Sequence, residues 1–285
     1  MTAAAYAKVN LTLEVLGVRA DGYHSLRSVV LPVSLADDLD VSATSDGVVS
    51  SDTGYADDLC VRAALELREA LAARGDAASA RLGARISVVK RVPAGGGLGG
   101  GSADAAATLI ALNELWGAGM TRERLSCVAA RVGSDVPSLV LGGPALMEGR
   151  GEVVSRLPPP PRPLHLVLAN PGVASSTAQV YAACAPRGDD MPSATAAMAA
   201  ALATGDIGAI AAAEANDLSA AAMKLHPEIA AAADVLCAAG ARGVMMSGSG
   251  STVFGIVESE QEGLRVAGVA ESCGLWARHV RSMSA

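Results

Sequence analysis

The chain has 285 residues, enough for one large or two ordinary domains with hydrophobic cores. Its formal net charge is −7, with 22 Lys and Arg against 29 Asp and Glu, and no basic cluster stands out, so nucleic acid is not an expected partner. No apolar run reaches the ~18–20 residues of a membrane span, and Lys8, Asn10 and Glu14 interrupt the apolar N-terminal stretch, so neither a membrane segment nor a signal peptide is expected.

The first elements are predicted from their hydrophobic periodicity. Alternation predicts a strand over residues 6–16, and strands over 28–33 and 39–43 follow a turn at 18–24. Apolar residues at helical spacing, after acidic residues at the start, predict a helix over residues 57–73. A further strand is expected over 84–92.

A glycine-rich loop follows this strand. Six of the seven residues from Gly95 to Gly101 are glycine. Ser102 is the expected N-cap of the next helix, and Asp104 would lie in its first turn. A strand, a glycine loop and a helix N-terminus together form a site for an anion, because backbone N–H groups converge there without side chains in the way. The sequence therefore predicts a phosphate-binding loop.

Three other interpretations of this loop are less consistent with its surroundings. A flexible linker would not stand between a strand and a helix. Gly95, Gly97 and Gly100 satisfy the dinucleotide-binding pattern, but no acidic residue ends a second strand about 20 residues later. The Walker A pattern fails because Gly101 stands where the lysine should be. The phosphate charge must then be neutralised by groups outside the loop.

The rest of the chain alternates helices and strands around a proline run. Thr121 is expected to cap a helix to about Val132, Asp135 to open a short helix, and residues 142–155 to form paired strands. The prolines at 158–161 predict a stiff linker. The sequence thus predicts two α+β domains, residues 1–157 and 164–285.

The second domain is predicted to contain a second loop rich in glycine and serine. A strand over 165–169 precedes alanine-rich helices over 193–239, which break at Gly205 and before Pro227. The loop at 247–251 lies between two strands, and a helix and a strand over 275–280 follow. Taken alone, this loop is equally well explained as an ordinary tight connection.

The five cysteines show no metal-binding or redox spacing. Their number is odd and they lie far apart in the chain: Cys60, Cys127, Cys184, Cys237 and Cys273. We expect buried free thiols in a reducing cytoplasm.

Three segments and their order resemble the GHMP small-molecule kinases. They are the Lys8–Leu11 stretch with DGYH at Asp21–His24, PAGGGLGGGSADAA at Pro93–Ala106, and SGSGSTVF at Ser247–Phe254. GSDVP at Gly133–Pro137 stands where such kinases carry a catalytic aspartate. The DGYH turn and the GLGGGS loop are most similar to members that phosphorylate a cytidine-diphosphate sugar alcohol, and the resemblance spans the chain.

This resemblance implies a two-domain α+β fold and a reaction. The N-terminal domain would be like the second domain of ribosomal protein S5, and the C-terminal domain would be ferredoxin-like. ATP would bind between the domains, and its γ-phosphoryl group would pass to the 2-hydroxyl of cytidine-diphosphate methylerythritol in the cytoplasm. Mg²⁺ is the implied metal, and the protein would be a monomer or homodimer.

The resemblance also assigns roles to individual residues. Lys8 and Asp135 would be catalytic, the lysine next to the transferred phosphoryl group and the aspartate as proton acceptor paired with it. Ser102 is the expected Mg²⁺ ligand, although Ala103 stands where related chains often have a second serine. ATP binding is assigned to consecutive residues of the loop and helix start: Pro93, Ala94, Gly95, Gly96, Gly97, Leu98, Gly99, Gly100, Gly101, Ser102, Ala103 and Asp104. Substrate binding is assigned to Asn10, Tyr23, His24, Thr177, Tyr181, Gly248 and Ser249.

Within the substrate site, Tyr23 and Tyr181 are expected to stack on opposite faces of the cytosine, and His24 to bind its edge. Asn216 and Asp217 receive no role beyond a helix boundary or cleft lining. Three alternatives remain open: a GHMP kinase for homoserine, mevalonate or a sugar, a nucleotide-binding module without catalysis, and a nucleotide-linked oxidoreductase. Retention of both Lys8 and Asp135 disfavours the second.

Overall fold

The computed structural model describes residues 1–75, 78–188 and 193–284. The chain divides into two compact units, each made of three segments. Unit 1 contains Met1–Ala7, Leu35–Val92 and Gly99–Gly142, and unit 2 contains Lys8–Ser34, Pro93–Leu98 and Gly143–Ala285. The expected domain boundary at the prolines, with domains 1–157 and 164–285, stays a prediction.

The strands are β1 (Thr2–Asn10), β2 (Thr12–Val18), β3 (His24–Thr44), β4 (Val49–Ser51), β5 (Gly83–Val89), β6 (Ala145–Gly149), β7 (Val153–Arg156), β8 (His165–Asn170), β9 (Ala215–Asn216), β10 (Arg242–Met246), β11 (Val253–Val257) and β12 (Trp276–Arg281). The helices are α1 (Leu59–Ala72), α2 (Gly100–Leu115), α3 (Arg122–Ala129), α4 (Val136–Leu141), α5 (Thr177–Ala183), α6 (Ala194–Thr204), α7 (Ile207–Ala213), α8 (Ser219–Leu225), α9 (Pro227–Ala238) and α10 (Glu260–Ser272).

Unit 1 packs helices α1–α4 against a small sheet. Strand β5 pairs antiparallel with the second half of β3 and parallel with β4. The core is built mainly from alanine and leucine of α1 and α2, which lets these helices approach closely. Asp58 caps α1 by accepting the backbone N–H groups of Cys60 and Val61, and Trp116 at the end of α2 donates its indole N–H to the Gly83 carbonyl at 3.2 Å.

Unit 2 contains a hairpin and a separate four-stranded sheet. Strand β2 pairs antiparallel with the first half of β3, which also pairs with β6, and β9 lies parallel to β2. The second sheet has the order β10-β11-β8-β12 and is antiparallel, with α9 and α10 packed on it. The elements of this sheet and its helices follow one another as strand, helices, two strands, helix and strand. This order is ferredoxin-like, as expected. Trp276 begins β12, and the centre of its ring lies 5.5 Å from the guanidinium carbon of Arg278.

Several predicted elements are confirmed. The helix expected over 57–73 is α1, Thr121 caps α3 through its side chain, and residues 142–155 contain the antiparallel pair β6 and β7. The alanine-rich helices break at Gly205 and before Pro227. Both breaks follow from backbone chemistry, because Gly205 adopts a left-handed conformation (φ 70°) and proline is accommodated at the first turn of a helix.

Other expectations were wrong. The strand expected over 6–16 is two strands that meet at Leu11, and the strands expected over 28–33 and 39–43 are one strand, β3. Strand β3 continues through Pro32, which has no N–H to donate but whose carbonyl accepts the N–H of Met283 at 2.8 Å. The expectation of buried thiols holds only for Cys60, since Cys184 is half-buried and the other three are exposed.

Across the residues that the structure describes, no helix combines the length and the apolar character needed to cross a bilayer.

Candidate active site

The first half of the glycine loop, Pro93–Leu98, packs on the second loop within unit 2. Gly97 has a φ of 75°, and a Cβ added there would lie 2.1 Å from the Ser247 carbonyl oxygen. The backbone N–H of Thr252 donates to the Gly96 carbonyl at 3.1 Å. Position 97 therefore accepts only glycine, both for its left-handed backbone and for its close approach to Ser247.

Lys8 is buried against this half of the loop. Its Nζ donates to Asn10 Oδ1 at 2.6 Å and to the Gly97 carbonyl at 3.0 Å, and its side chain reaches within 3.4 Å of the Cβ position of Gly248. Lys8 and Asn10 are each 3% exposed. Because they lie two residues apart on β1, they share a strand face. The expected pair of polar side chains thus meets both loops at one point.

The second loop, Ser247–Ser251, is held in place by two polar side chains. Ser247 Oγ accepts the backbone N–H of Asn10 at 3.2 Å and donates to the Gly97 carbonyl at 2.9 Å. Asn216 donates from Nδ2 to the carbonyls of Met246 and Gly248, both at 2.8 Å. Asn216, for which no role beyond a helix boundary or cleft lining was expected, therefore braces the loop that carries Gly248.

The second half of the glycine loop begins helix α2 in unit 1. The N-cap is Gly99, with φ 68°, and not Ser102, which is the third residue of the helix. The expectation for Ser102 was wrong because glycine adopts the left-handed backbone needed here, and the helix starts three residues earlier. For the same reason Asp104 lies beyond the first turn.

Asp104 belongs to a buried cluster that sequence reasoning missed. Lys90 Nζ donates to Asp104 Oδ2 at 2.6 Å and to Asp37 Oδ2 at 2.5 Å, and Asp37 is fully buried. Burial raises the pKa of Asp104 to about 6 although Lys90 opposes the shift, and Asp104 Oδ1 has no hydrogen-bond partner within the described part of the chain. Burial lowers the pKa of Lys90, but its two carboxylate partners outweigh this effect and leave that pKa raised. The sequence feature that could have revealed this cluster was Lys90, which lies five residues before the first glycine of the loop.

Asp135 is the N-cap residue of α4, but its side chain makes no capping hydrogen bond. Its carbonyl accepts from Ser138 Oγ at 2.8 Å, and proline occupies the first turn of the helix. The helix start is therefore specified without the carboxylate. Asp135 belongs to unit 1 and Lys8 to unit 2, and their expected pairing stays a prediction.

The residues expected to bind the base lie in two groups in unit 2. The rings of His24 and Tyr181 are 5.0 Å apart and tilted by 42°. Tyr23 is 55% exposed, and the guanidinium carbon of Arg150 lies 5.2 Å from its ring centre. The structure thus brings Tyr181 to His24, while Arg150, which the sequence did not single out, lies over Tyr23.

Thr177 joins α5 to the second loop. Its Oγ1 lies 2.9 Å from Ser249 Oγ, and Ser175 Oγ donates to the Ser249 carbonyl at 2.7 Å. Helix α5 was absent from the predicted elements, although Ser176 and Gln179 form the spacing of a capping box, and Ser176 caps the helix.

We expect Gly97→Ala to weaken ATP binding at least tenfold and to lower the melting temperature. A left-handed backbone costs a residue with Cβ about 1–2 kcal/mol, and the added atom would collide with the Ser247 carbonyl. Calorimetry with ATP and a thermal melt measure the two effects. Gly117→Ala is the matched control, because Gly117 has φ 62° but open space around its Cβ position. Unchanged ATP affinity in folded Gly97→Ala would contradict the assignment of this loop.

The topology of the two units and the joined loops define the class of protein, a small-molecule kinase. Residues 58–143 match the model of the GHMP kinases N terminal domain, and residues 198–272 match that of GHMP kinases C terminal. The chain belongs to the GHMP kinase family, with its mixed α+β two-domain fold, and uses ATP as this family does.

Two relatives of this chain carry the same name. A 4-diphosphocytidyl-2-C-methyl-D-erythritol kinase of Pelotomaculum thermopropionicum is 43% identical over 273 residues, which cover 94% of this chain and 92% of that protein. The protein of the same name from Symbiobacterium thermophilum is 43% identical over 272 residues, 92% of each chain. Similarity at this level extends over nearly the whole length.

Solved structures agree. The crystal structure of a 4-(cytidine 5'-diphospho)-2C-methyl-D-erythritol kinase superposes with a TM-score of 0.80 at 37% identity and covers both chains fully. Homoserine kinase from Cytophaga hutchinsonii superposes with a TM-score of 0.74 at 19% identity, covering 98% of this chain and 95% of that one, which is a likeness of fold alone.

Proposed function

We propose that this chain transfers the γ-phosphoryl group of ATP to the 2-hydroxyl of 4-diphosphocytidyl-2-C-methyl-D-erythritol, a step of non-mevalonate isoprenoid precursor synthesis. The observation that carries the proposal is the full-length similarity, at 37–43% identity, to kinases of that name. Kinases for homoserine or mevalonate share the fold at 19% identity or less. A catalytically inactive module is disfavoured by the retained Lys8 and Asp135.

The glycine loop fits ATP phosphates. Gly95, Gly97 and Gly99 have positive φ values of 65–75°, which turn backbone N–H groups along the loop, and Gly99 leads into the N-terminus of α2. The twelve consecutive positions from Pro93 to Asp104 are the proposed ATP site. Bound ATP supplies the phosphoryl group, and the chain supplies position and charge.

Lys8 acts by fixed positive charge. Its ammonium keeps two hydrogen bonds, to Asn10 and the Gly97 carbonyl, and so is oriented before any substrate arrives. Preorganised charge in a site that excludes water stabilises developing negative charge more strongly than a mobile lysine in solvent. Asn10 orients Lys8 by accepting one of these two hydrogen bonds through its Oδ1, and it is itself a proposed contact to the substrate.

Asp135 orients the substrate hydroxyl and accepts its proton. A loose phosphoryl-transfer transition state asks little of a base early in the reaction, so a carboxylate serves when proton transfer is late. The geometry of α4 supports this role, because the helix does not use the carboxylate as its cap.

Mg²⁺ is proposed with Ser102 as its protein ligand. Among the described residues, no cluster of three His, Cys, Asp or Glu side chains could cage a metal ion. Mg²⁺ usually keeps several waters and binds through one or two carboxylates and substrate phosphates. Ser102 is the third residue of α2, and Gly99, not Ser102, is the N-cap of this helix.

The substrate side of the site is proposed to contain Tyr23, His24, Thr177, Tyr181, Gly248 and Ser249. Tyr181 and His24 already lie in contact, and Thr177 contacts Ser249. Two tyrosines would stack on the cytosine, and His24 would bind its edge. A cytosol location and a monomeric or homodimeric state remain parts of this proposal.

We expect Tyr181→Ala to raise the KM for the cytidine substrate about two- to tenfold with the KM for ATP unchanged. A stacking contact contributes roughly 0.5–1.5 kcal/mol beyond the area it buries. His24→Ala should reduce the preference over the uridine analogue, since edge recognition depends on hydrogen bonds. Steady-state kinetics with both nucleotides measure this, with Leu264→Ala, an exposed apolar side chain on α10, as control. Weakened ATP binding alone would place Tyr181 in the adenine pocket instead.

The proposed function is tested by offering one preparation three alcohols side by side. ATP consumption is measured with 4-diphosphocytidyl-2-C-methyl-D-erythritol, homoserine and mevalonate, and ³¹P NMR identifies the phosphorylated hydroxyl. Turnover of the cytidine substrate alone, with a new phosphate ester at its 2-position, is the expected result. Faster turnover of another alcohol would overturn the proposal.

A further inference from the structure

A buried carboxylate of unit 2 that the proposed mechanism does not use carries the further inference. Glu14 lies on β2 and is 1% exposed. Its Oε1 accepts from Arg187 Nη1 and from the backbone N–H of Ala194, both at 2.8 Å. Its Oε2 accepts from Ser193 Oγ at 3.0 Å and lies 4.0 Å from Arg27 Nη1. The carboxylate therefore joins β2 to chain segments about 180 residues later.

Arg187 binds the same strand through its backbone as well. Its N–H donates to the Val15 carbonyl at 2.9 Å, and its Nε lies 3.8 Å from Asp217 Oδ2. Asp217 Oδ2 in turn accepts the N–H of Val15 at 2.8 Å. Arg187 is thus held at β2 by its backbone, by Glu14 and by Asp217.

This attachment lies directly after the helix that carries Tyr181. Helix α5 ends at Ala183, and Arg187 follows Tyr181 by six residues. The opposite end of α5 is fixed where Thr177 meets Ser249 at 2.9 Å. Tyr181 therefore lies between two points of attachment. Its partner His24 begins β3, the strand that pairs with β2.

We propose that Glu14 and Arg187 are a positioning pair that holds Tyr181 against His24 and so sets the affinity of the site for the nucleotide part of its alcohol substrate. The inference rests on the proposed function, since it takes this site to bind the cytidine group. Neither residue touches the base; both act through α5. The pair is separate from Lys8 and the glycine loop, so ATP binding should not depend on it.

The test uses Arg187→Met in the full-length protein, with CDP and ATP as calorimetric probes. In this variant Glu14 keeps Ala194, Ser193 and Arg27 as partners, so the fold is expected to survive. We expect CDP affinity to fall about two- to tenfold, no more than in Tyr181→Ala, and the KM for the cytidine substrate to rise alike, with ATP affinity and kcat at saturation unchanged. Arg187→Lys should restore part of the CDP affinity. Arg242→Met, which removes an exposed ion pair with Glu258, is the matched control.

A double-mutant cycle separates positioning from general stability. If Arg187 acts through Tyr181, then Arg187→Met should change CDP affinity little once Tyr181 is already alanine. The proposal would be overturned if the effects of Arg187→Met and Tyr181→Ala on CDP affinity were simply additive. Equal losses of CDP and ATP affinity in Arg187→Met would also overturn it. Should Arg187→Met not fold, the cycle is repeated with Glu14→Gln, which keeps an acceptor for Ala194 and removes the charge. Failure of the wild type to bind CDP would instead refute the proposed function.

Discussion

Asp135→Asn should lower kcat by about 10²- to 10⁴-fold while leaving both KM values nearly unchanged. The substitution keeps the size and polarity of the side chain but removes the proton acceptor and its negative charge. The helix should tolerate it, since the Asp135 carboxylate makes no capping hydrogen bond and asparagine is as good an N-cap residue as aspartate. Steady-state kinetics at saturating ATP, with a thermal melt in parallel, measure the effect.

Asp58→Ala is the structural counterpart of that experiment. Asp58 caps α1 through two backbone N–H groups and also accepts from Thr53 Oγ1. Its removal should cost about 0.5–2 kcal/mol of stability and leave kcat intact. Asp135→Asn should instead lower kcat and leave the stability nearly unchanged. A loss of stability without a loss of kcat in Asp135→Asn would mean that this residue only supports α4.

Lys8→Met should reduce kcat by about 10²- to 10³-fold, the usual cost of removing one preorganised donor from a developing charge. The variant also leaves Asn10 Oδ1 without its donor, at about 1–3 kcal/mol for a buried group, whereas the Gly97 carbonyl keeps Ser247 Oγ. We therefore expect a lower melting temperature together with the loss of turnover, measured by single-turnover kinetics and calorimetry.

Lys224→Met is the matched lysine control, because Lys224 is exposed near the end of α8. Its kcat and melting temperature should equal those of the wild type. If Lys8→Met lost stability but turned over at the wild-type rate when folded, Lys8 would be only a brace for the glycine loop.

Local chemistry explains which elements could be predicted from the sequence. Helix α1 has a capping aspartate and a regular apolar face, and both are visible in a single segment. Strand β3 was predicted as two strands on either side of residues 34–38, a stretch with two aspartates, which strands disfavour. Its actual continuity depends on pairing with β2, β5 and β6, which lie elsewhere in the chain. The start of α2 was missed for a similar reason, since Gly100 and Gly101 are poor helix formers whose helical state is set by their surroundings.

The residues of the candidate site also differ in how well local sequence patterns predict them. Lys8, the glycine loop and the second loop carry distinctive sequence patterns. The glycine loop was assigned to the first domain and the second loop to the second domain, so their direct contact at Gly97 and Ser247 within unit 2 was not predicted. Asn216, Arg150 and Glu14 were not assigned roles, because their partners are distant in sequence. The contact between Glu14 and Arg187 joins residues 173 positions apart, and no local pattern indicates it.

The chain contains two tryptophans, and each compact unit holds one of them. Trp116 is tied to the Gly83 carbonyl in unit 1, and Trp276 lies beside Arg278 in unit 2. Replacing either one by phenylalanine leaves a single tryptophan, and its emission reports on one unit when it is excited at wavelengths that the four tyrosines do not absorb. Denaturant titrations of the two single-tryptophan proteins would therefore reveal whether the units lose their structure in one cooperative transition or in two, without any added dye.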